Sequence, residues 1–153
     1  MVENSKKRLG SAIVYTGRLL INDLNNHFLN QKINITFKQL EILLHIVGNP
    51  QKKIIQQDLS ILINKNKSGI LRIIDILEKK RFVKRVPVMG DRRKNIIEAT
   101  KEGVEVAEIS LGIIKKSENK YMKKIAPKDE VIFCKVLDMI RSECSANTFL
   151  VNE

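Results

Sequence analysis

Lys65, Asn66, Lys67, Ser68 and Arg72 stand within one short run, and each carries a hydrogen-bond donor able to reach a phosphate or a base edge. Ser68 and Arg72 are four residues apart, so on a helix they share one side. Further along, Asp91-Arg92-Arg93-Lys94 follows a glycine and places three cations in a row. Such a group can follow a narrow, electronegative groove. The chemistry on offer is recognition of a polyanion, not bond making.

The charge distribution agrees. Formal net charge is +11 over 153 residues. Residues 65–94 hold 11 Lys/Arg against 3 Asp/Glu, whereas residues 104–153 hold 8 against 8. A general solubility charge would be spread out; a footprint for nucleic acid is concentrated. Catalytic constellations are missing from the sequence: no phosphate loop, nucleophile elbow or Cys-x-x-Cys pair, so no enzyme and no cofactor is expected. Two histidines, His27 and His45, without a Cys or carboxylate cluster at ligand spacing predict no metal site. Cys134 and Cys144 lie ten apart, roughly 15 Å of rise on one helix, which excludes a disulfide between them within one chain. Cys134 neighbours an apolar stripe and is expected to be a core thiol.

The elements that must position these groups can be read from periodicity. Ile70, Ile73, Ile74 and Leu77 form one stripe, which predicts a helix whose other face carries the donors. Two β-prone runs, 82–86 and 95–99, flank a loop containing Pro87, Gly90 and the arginines, and predict a hairpin with Arg92, Arg93 and Lys94 at its tip. Upstream, 6–30 reads as a helix with Leu9, Ile13, Leu20, Leu24 and Phe28 near one face, ending at Asn30-Gln31-Lys32. Thr36-Phe37-Lys38-Gln39 has the form of a capping box before Leu40, Leu43, Leu44 and Val47, and Gly48-Asn49-Pro50 stops that helix. Lys52-Lys53-Ile54 reads as a very short strand, 55–63 as a short helix, and Asn64-Lys65-Asn66 as the turn into the donor-bearing helix. Thr100 caps another helix with Val104, Ala107, Leu111 and Ile114 apolar. Pro127 opens a last one, with Phe133, Val136, Leu137 and Ile140 on a face. The fold class is therefore mainly α with a small β-hairpin wing: a winged helix-turn-helix over 34–103, with terminal helices 6–30 and 104–145 for dimerisation. These terminal helices carry more apolar positions than a lone winged helix covers.

The run Leu77-Glu78-Lys79-Lys80-Arg81-Phe82-Val83-Lys84-Arg85, then Asp91-Arg92-Arg93, then Thr100 and Gly103, resembles the multiple-antibiotic-resistance regulator (MarR) family in residue types and spacing. The resemblance covers nearly the whole chain. It implies a homodimeric transcription regulator, a repressor, on double-stranded DNA with a palindromic operator. Residues 66–72 would read the major groove, and Arg93 would enter the minor groove braced by Asp91. It also implies release from DNA by a small aromatic acid, for which Tyr15, Arg18, His27 and His45 are candidate ligand-binding residues. Four positions depart from the family pattern: Arg81 replaces a glycine, Ile55 a Ser/Thr cap, Ala99 a leucine, and Val88-Met89-Gly90 an Asp-Pro pair. Arg81 sets the expectation that the turn after the helix ends differently, because only glycine reaches positive φ freely. The alternative is a winged-helix protein-interaction module without DNA readout; RNA binding is disfavoured by 5% aromatics. Without a signal peptide or an apolar run long enough for a membrane span, a cytoplasmic protein is expected.

Overall fold

The computed structural model describes residues 8–49, 54, 55, 59 and 67–148; for 67, 91–93 and 146–148 it describes the backbone alone. The predicted short helix 55–63, the turn at Asn64-Lys65-Asn66, Pro50, and Lys52-Lys53 therefore lie outside the described residues, apart from Ile55 and Leu59. The elements are α1 (Leu9–Asn30), α2 (Phe37–Val47), α3 (Lys67–Lys79), β1 (Val83–Val88), β2 (Asp91–Ala99), α4 (Lys101–Met122) and α5 (Pro127–Thr148). The helices and the antiparallel hairpin β1-β2 match the fold class expected from the pattern. Two compact units divide the chain, one ending at Lys115 and the other starting at Lys116.

In the first unit, α1 contributes Phe28 to the core, and Asn25 Oδ1 accepts from the Phe37 N–H at 2.8 Å, fixing where α2 begins. The capping box is formed. The Gln39 N–H donates to Thr36 Oγ1 (3.4 Å) and the Thr36 N–H donates to Gln39 Oε1 (3.2 Å), so two otherwise orphaned donors are satisfied. At the other end of α2, Gly48 caps the helix in the right-handed region (φ −69°), so its conformational freedom is not used. The core is completed by Leu40, Ile42, Leu43 and Ile46 of α2, Ile70, Ile74 and Leu77 of α3, and Val83 and Ile97 of the hairpin. Ile54 accepts from the Ile97 N–H (2.9 Å) and Ile55 bridges Ile96, which places this pair alongside β2.

Two helices end in the same motif. After α3, the Phe82 N–H donates to the Leu77 carbonyl and the Arg81 N–H to the Glu78 carbonyl, both at 2.9 Å, with Arg81 at φ 62°. After α1, Ile33 N–H to Phe28 and Lys32 N–H to Leu29 repeat the pattern, with Lys32 at φ 58°. These are Schellman closures with a basic residue where glycine is favoured. The expectation that Arg81 changes the helix end is thus corrected. The two hydrogen bonds and the buried Leu77–Phe82 pair hold Arg81 in the left-handed region despite a cost of about 1–2 kcal/mol.

The joint to α4 explains the Thr-x-x-Gly spacing. Thr100 Oγ–H donates to the Arg81 carbonyl (2.6 Å), its Oγ1 accepts from the Gly103 N–H (3.0 Å), and its own N–H donates to Phe82 (3.0 Å). A Cβ on Gly103 would lie 2.0 Å from the Phe82 carbonyl oxygen, so only glycine allows this approach. Along α4 the buried positions are Gly103, Ala107, Ser110, Ile113 and Ser117, whereas Leu111 is exposed, contrary to the stripe expected from the sequence. The small residues set the approach, and Leu111 falls outside it. In the second unit, Val136, Leu137 and Ile140 of α5 are half-buried while Phe133 and Cys134 are exposed. The core-thiol expectation for Cys134 is corrected: it neighbours the stripe in sequence but is exposed.

Candidate nucleic-acid interface

The donor face survives in the described part of α3. Ile70, Ile74 and Leu77 are fully buried, and this turns Ser68 and Arg72 outward to solvent. Arg72 makes no ion pair among the described residues. Its sequence neighbour Asp75, three residues on, pairs elsewhere: Asp75 Oδ1 accepts from Arg85 Nη2 at 2.5 Å. The same guanidinium donates to Glu78 Oε2, and the Arg85 N–H donates to Glu78 Oε1 at 3.3 Å. Burial disfavours the Arg85 charge, but hydrogen bonds and Coulomb attraction from Asp75 and Glu78 outweigh it, so its pKa is raised. One β1 arginine thereby ties the hairpin to α3 and neutralises the acidic side chains closest to Arg72 in sequence. Sequence reasoning missed it. Its signal was a pair of acids three apart on a helix, followed by a cation in the next strand.

The hairpin is longer than expected. β1 runs to Val88 and β2 begins at Asp91, so the tip is Met89-Gly90, with Gly90 at φ 88°. The register passes from Pro87↔Asn95 to Val88↔Asp91, so Arg92, Arg93 and Lys94 are taken up in a bulge of β2. This corrects their placement at the tip. Glycine closes the turn in two residues, and the bulge absorbs the three cations left over. Lys94 is exposed; the Asp91, Arg92 and Arg93 side chains, and with them the brace of Asp91 on Arg93, lie outside the described residues, as do Lys65, Asn66 and the Lys67 side chain. Lys84 and Glu98, directly opposite in the ladder, pair at 3.0 Å and stiffen the hairpin base.

The four candidate ligand residues lie apart from this surface in sequence. Tyr15 and Arg18 are exposed on α1, and His27 contacts Asp23 one turn earlier at 3.4 Å. His45 lines a hollow of about 370 Å³ on α2 with Phe37, Leu40 and Leu44. A larger hollow of about 460 Å³ has none of the four. It is lined by Asn25, Leu29, Lys32, Ile33, Thr36 and Lys80, among others, with no Asp or Glu. Lys80 Nζ donates to the Asn34 carbonyl (2.8 Å) and to Gln39 Oε1 (3.0 Å), and partial burial lowers its pKa. Among the described residues, no group of three His, Cys, Asp or Glu could hold a metal, and no helix is long and apolar enough to cross a membrane.

No protein-family model matches the chain, and no curated protein matches it. Its fold is nevertheless that of solved MarR-family regulators. It is similar to a cysteine-to-serine mutant of MarR from E. coli complexed with operator DNA (TM-score 0.77, 19% identity, 92% of this chain and 98% of that one). It is also similar to AbsC, a MarR family transcriptional regulator from Streptomyces coelicolor (0.76, 20%, 93% and 95%). The S. aureus MepR–DNA complex is a third (0.75, 16%, 88% and 96%).

Proposed function

We propose that this chain is a regulator of the MarR type: a homodimer that binds a palindromic operator in double-stranded DNA and represses transcription. The observation that carries the reading is the arrangement around Arg85. The outward face of α3 bears Ser68 and Arg72, the bulge of β2 bears Arg92, Arg93 and Lys94, and the Arg85 pairs with Asp75 and Glu78 join the two elements. A helix for the major groove beside a basic hairpin for the minor groove is what duplex recognition requires. Likeness over nearly the full length to proteins solved on DNA supports the same reading. Their identity as regulators supports a role other than catalysis. The test is selection of genomic fragments by the purified chain, followed by sequencing. A palindromic site upstream of a gene is expected; recovery of fragments without a common sequence would remove the reading and favour an interaction module.

The hollow at Lys80 is the place we propose for an effector, a small organic anion with an apolar body. Leu29 and Ile33 supply apolar wall, and Lys32 and Lys80 supply charge unopposed by any acid in the lining. Lys80 follows α3 directly and shares Gln39 Oε1 with the capping box of α2, so an anion that draws its ammonium away acts on both helices. Aromatic carboxylates should raise the melting temperature of the wild type and weaken its DNA binding. Lys80→Met should abolish both responses; if it leaves both intact, the effector sits elsewhere.

A further inference from the structure

Met89 is fully exposed, at 101% of its reference area, at the tip of the hairpin. The other large apolar side chains exposed among the described residues lie on α1, α4 and α5, or at Ile125 between the last two. Met89 is thus on a different element from the helices expected to pair in a dimer. The turn that presents it is defined: Gly90 at φ 88° closes it, and the pairing of Val88 with Asp91 holds its two ends together. Within five residues along β2 come the three cations of the bulge. An apolar tip flanked by cations is poorly matched to water and well matched to a DNA minor groove. There the cations meet phosphates, while the apolar side chain meets sugar walls and the edges of a base step.

We infer that Met89 is a minor-groove wedge, a specificity-determining contact that packs against or partly between base pairs where the hairpin enters. This rests on the regulator reading above. The unbranched thioether has three side-chain torsions to adjust to a groove about 6 Å wide. Preference should follow ease of deformation, with flexible pyrimidine–purine steps favoured under the wing.

The test uses the full chain and a duplex recovered by fragment selection, with 2-aminopurine placed at the step under the wing. Wild type, Met89→Leu and Met89→Gln are compared across a salt series. Met89→Gln should weaken binding about tenfold and lose the fluorescence rise that reports unstacking, with the salt slope unchanged because no phosphate contact is removed. Met89→Leu should stay within about twofold of wild type and keep the rise. The wedge is overturned if Met89→Gln binds like wild type, if both variants fall alike, or if the salt slope falls with affinity. Those results leave the regulator reading standing. A wild-type chain that recovers no duplex removes both.

Discussion

Arg81 and Lys32 show single residues held against their own preference. Both adopt positive φ because the backbone bonds of a helix closure demand it, and the Arg81 carbonyl then accepts from Thr100. Replacing either by glycine removes the Cβ penalty and keeps the hydrogen bonds. Arg81→Gly and Lys32→Gly should each stabilise the fold by about 1 kcal/mol in urea unfolding; a loss of stability would mean that the side chains contribute more than the strain costs. Arg85 is the opposite case, a residue in an easy conformation with an irreplaceable side chain. Arg85→Ala should cost about 1–2 kcal/mol, discounted for the exposure of Asp75 and Glu78. It should also lower DNA affinity, because two carboxylates are then left unpaired beside Arg72. Arg85→Lys should restore little, since an ammonium lacks the planar fork that reaches both acids. Full recovery of stability and affinity by lysine would show that charge alone matters.

At the scale of elements, α3 and the hairpin are expected to divide the work. In the proposed complex, side chains on α3 would face a groove whose base edges differ in donor and acceptor pattern, whereas the bulge cations would act mainly on phosphates and groove width. Arg93→Ala should weaken binding to operator and scrambled duplex alike, lower the salt slope by about 1, and leave the preferred bases unchanged. Arg72→Ala should cost about 1–3 kcal/mol on the operator and relax one position in each half-site. Titrations of both variants on both duplexes over a range of salt separate the two roles. If Arg93→Ala binds as wild type and Arg72→Ala loses nothing, this surface does not read DNA.

At the scale of the whole molecule, α1 and α5 are among the helices that carry large apolar side chains in solvent. Leu9, Val14 and Leu19 on α1 and Val131, Ile132 and Phe133 on α5 are each more than half exposed. If the chain is the regulator proposed above, a second copy is the natural cover for such surfaces. Sedimentation at micromolar concentration should give twice 17.6 kDa. Phe133→Asp should shift it toward one chain while the helical circular dichroism persists. A wild-type monomer with ordered helices would exclude the dimer, and with it the expected half-site spacing of about 34–36 Å.

What the sequence by itself determined is local. The capping box of Thr36 and Gln39, the stripe of Ile70, Ile74 and Leu77, and the hydrogen bond of the Gly103 N–H to Thr100 depend on residues within about two helical turns, so their pattern can be read without a fold. The concentration of positive charge in 65–94 is likewise a property of the chain alone. What only tertiary structure decided depends on partners distant in sequence or on the competition between them. Asp75 could pair with Arg72 one turn away, but the hairpin brings Arg85 to it together with Glu78, and the guanidinium that bridges both acids wins. Residue preference argued against positive φ at Arg81, yet the closure of α3 and the docking of Thr100 impose it. The pattern of β-prone runs ended the strands early because it could not count the bulge; interstrand register, set by a two-residue turn at Gly90, moved Arg92, Arg93 and Lys94 onto β2 and left Met89 at the tip.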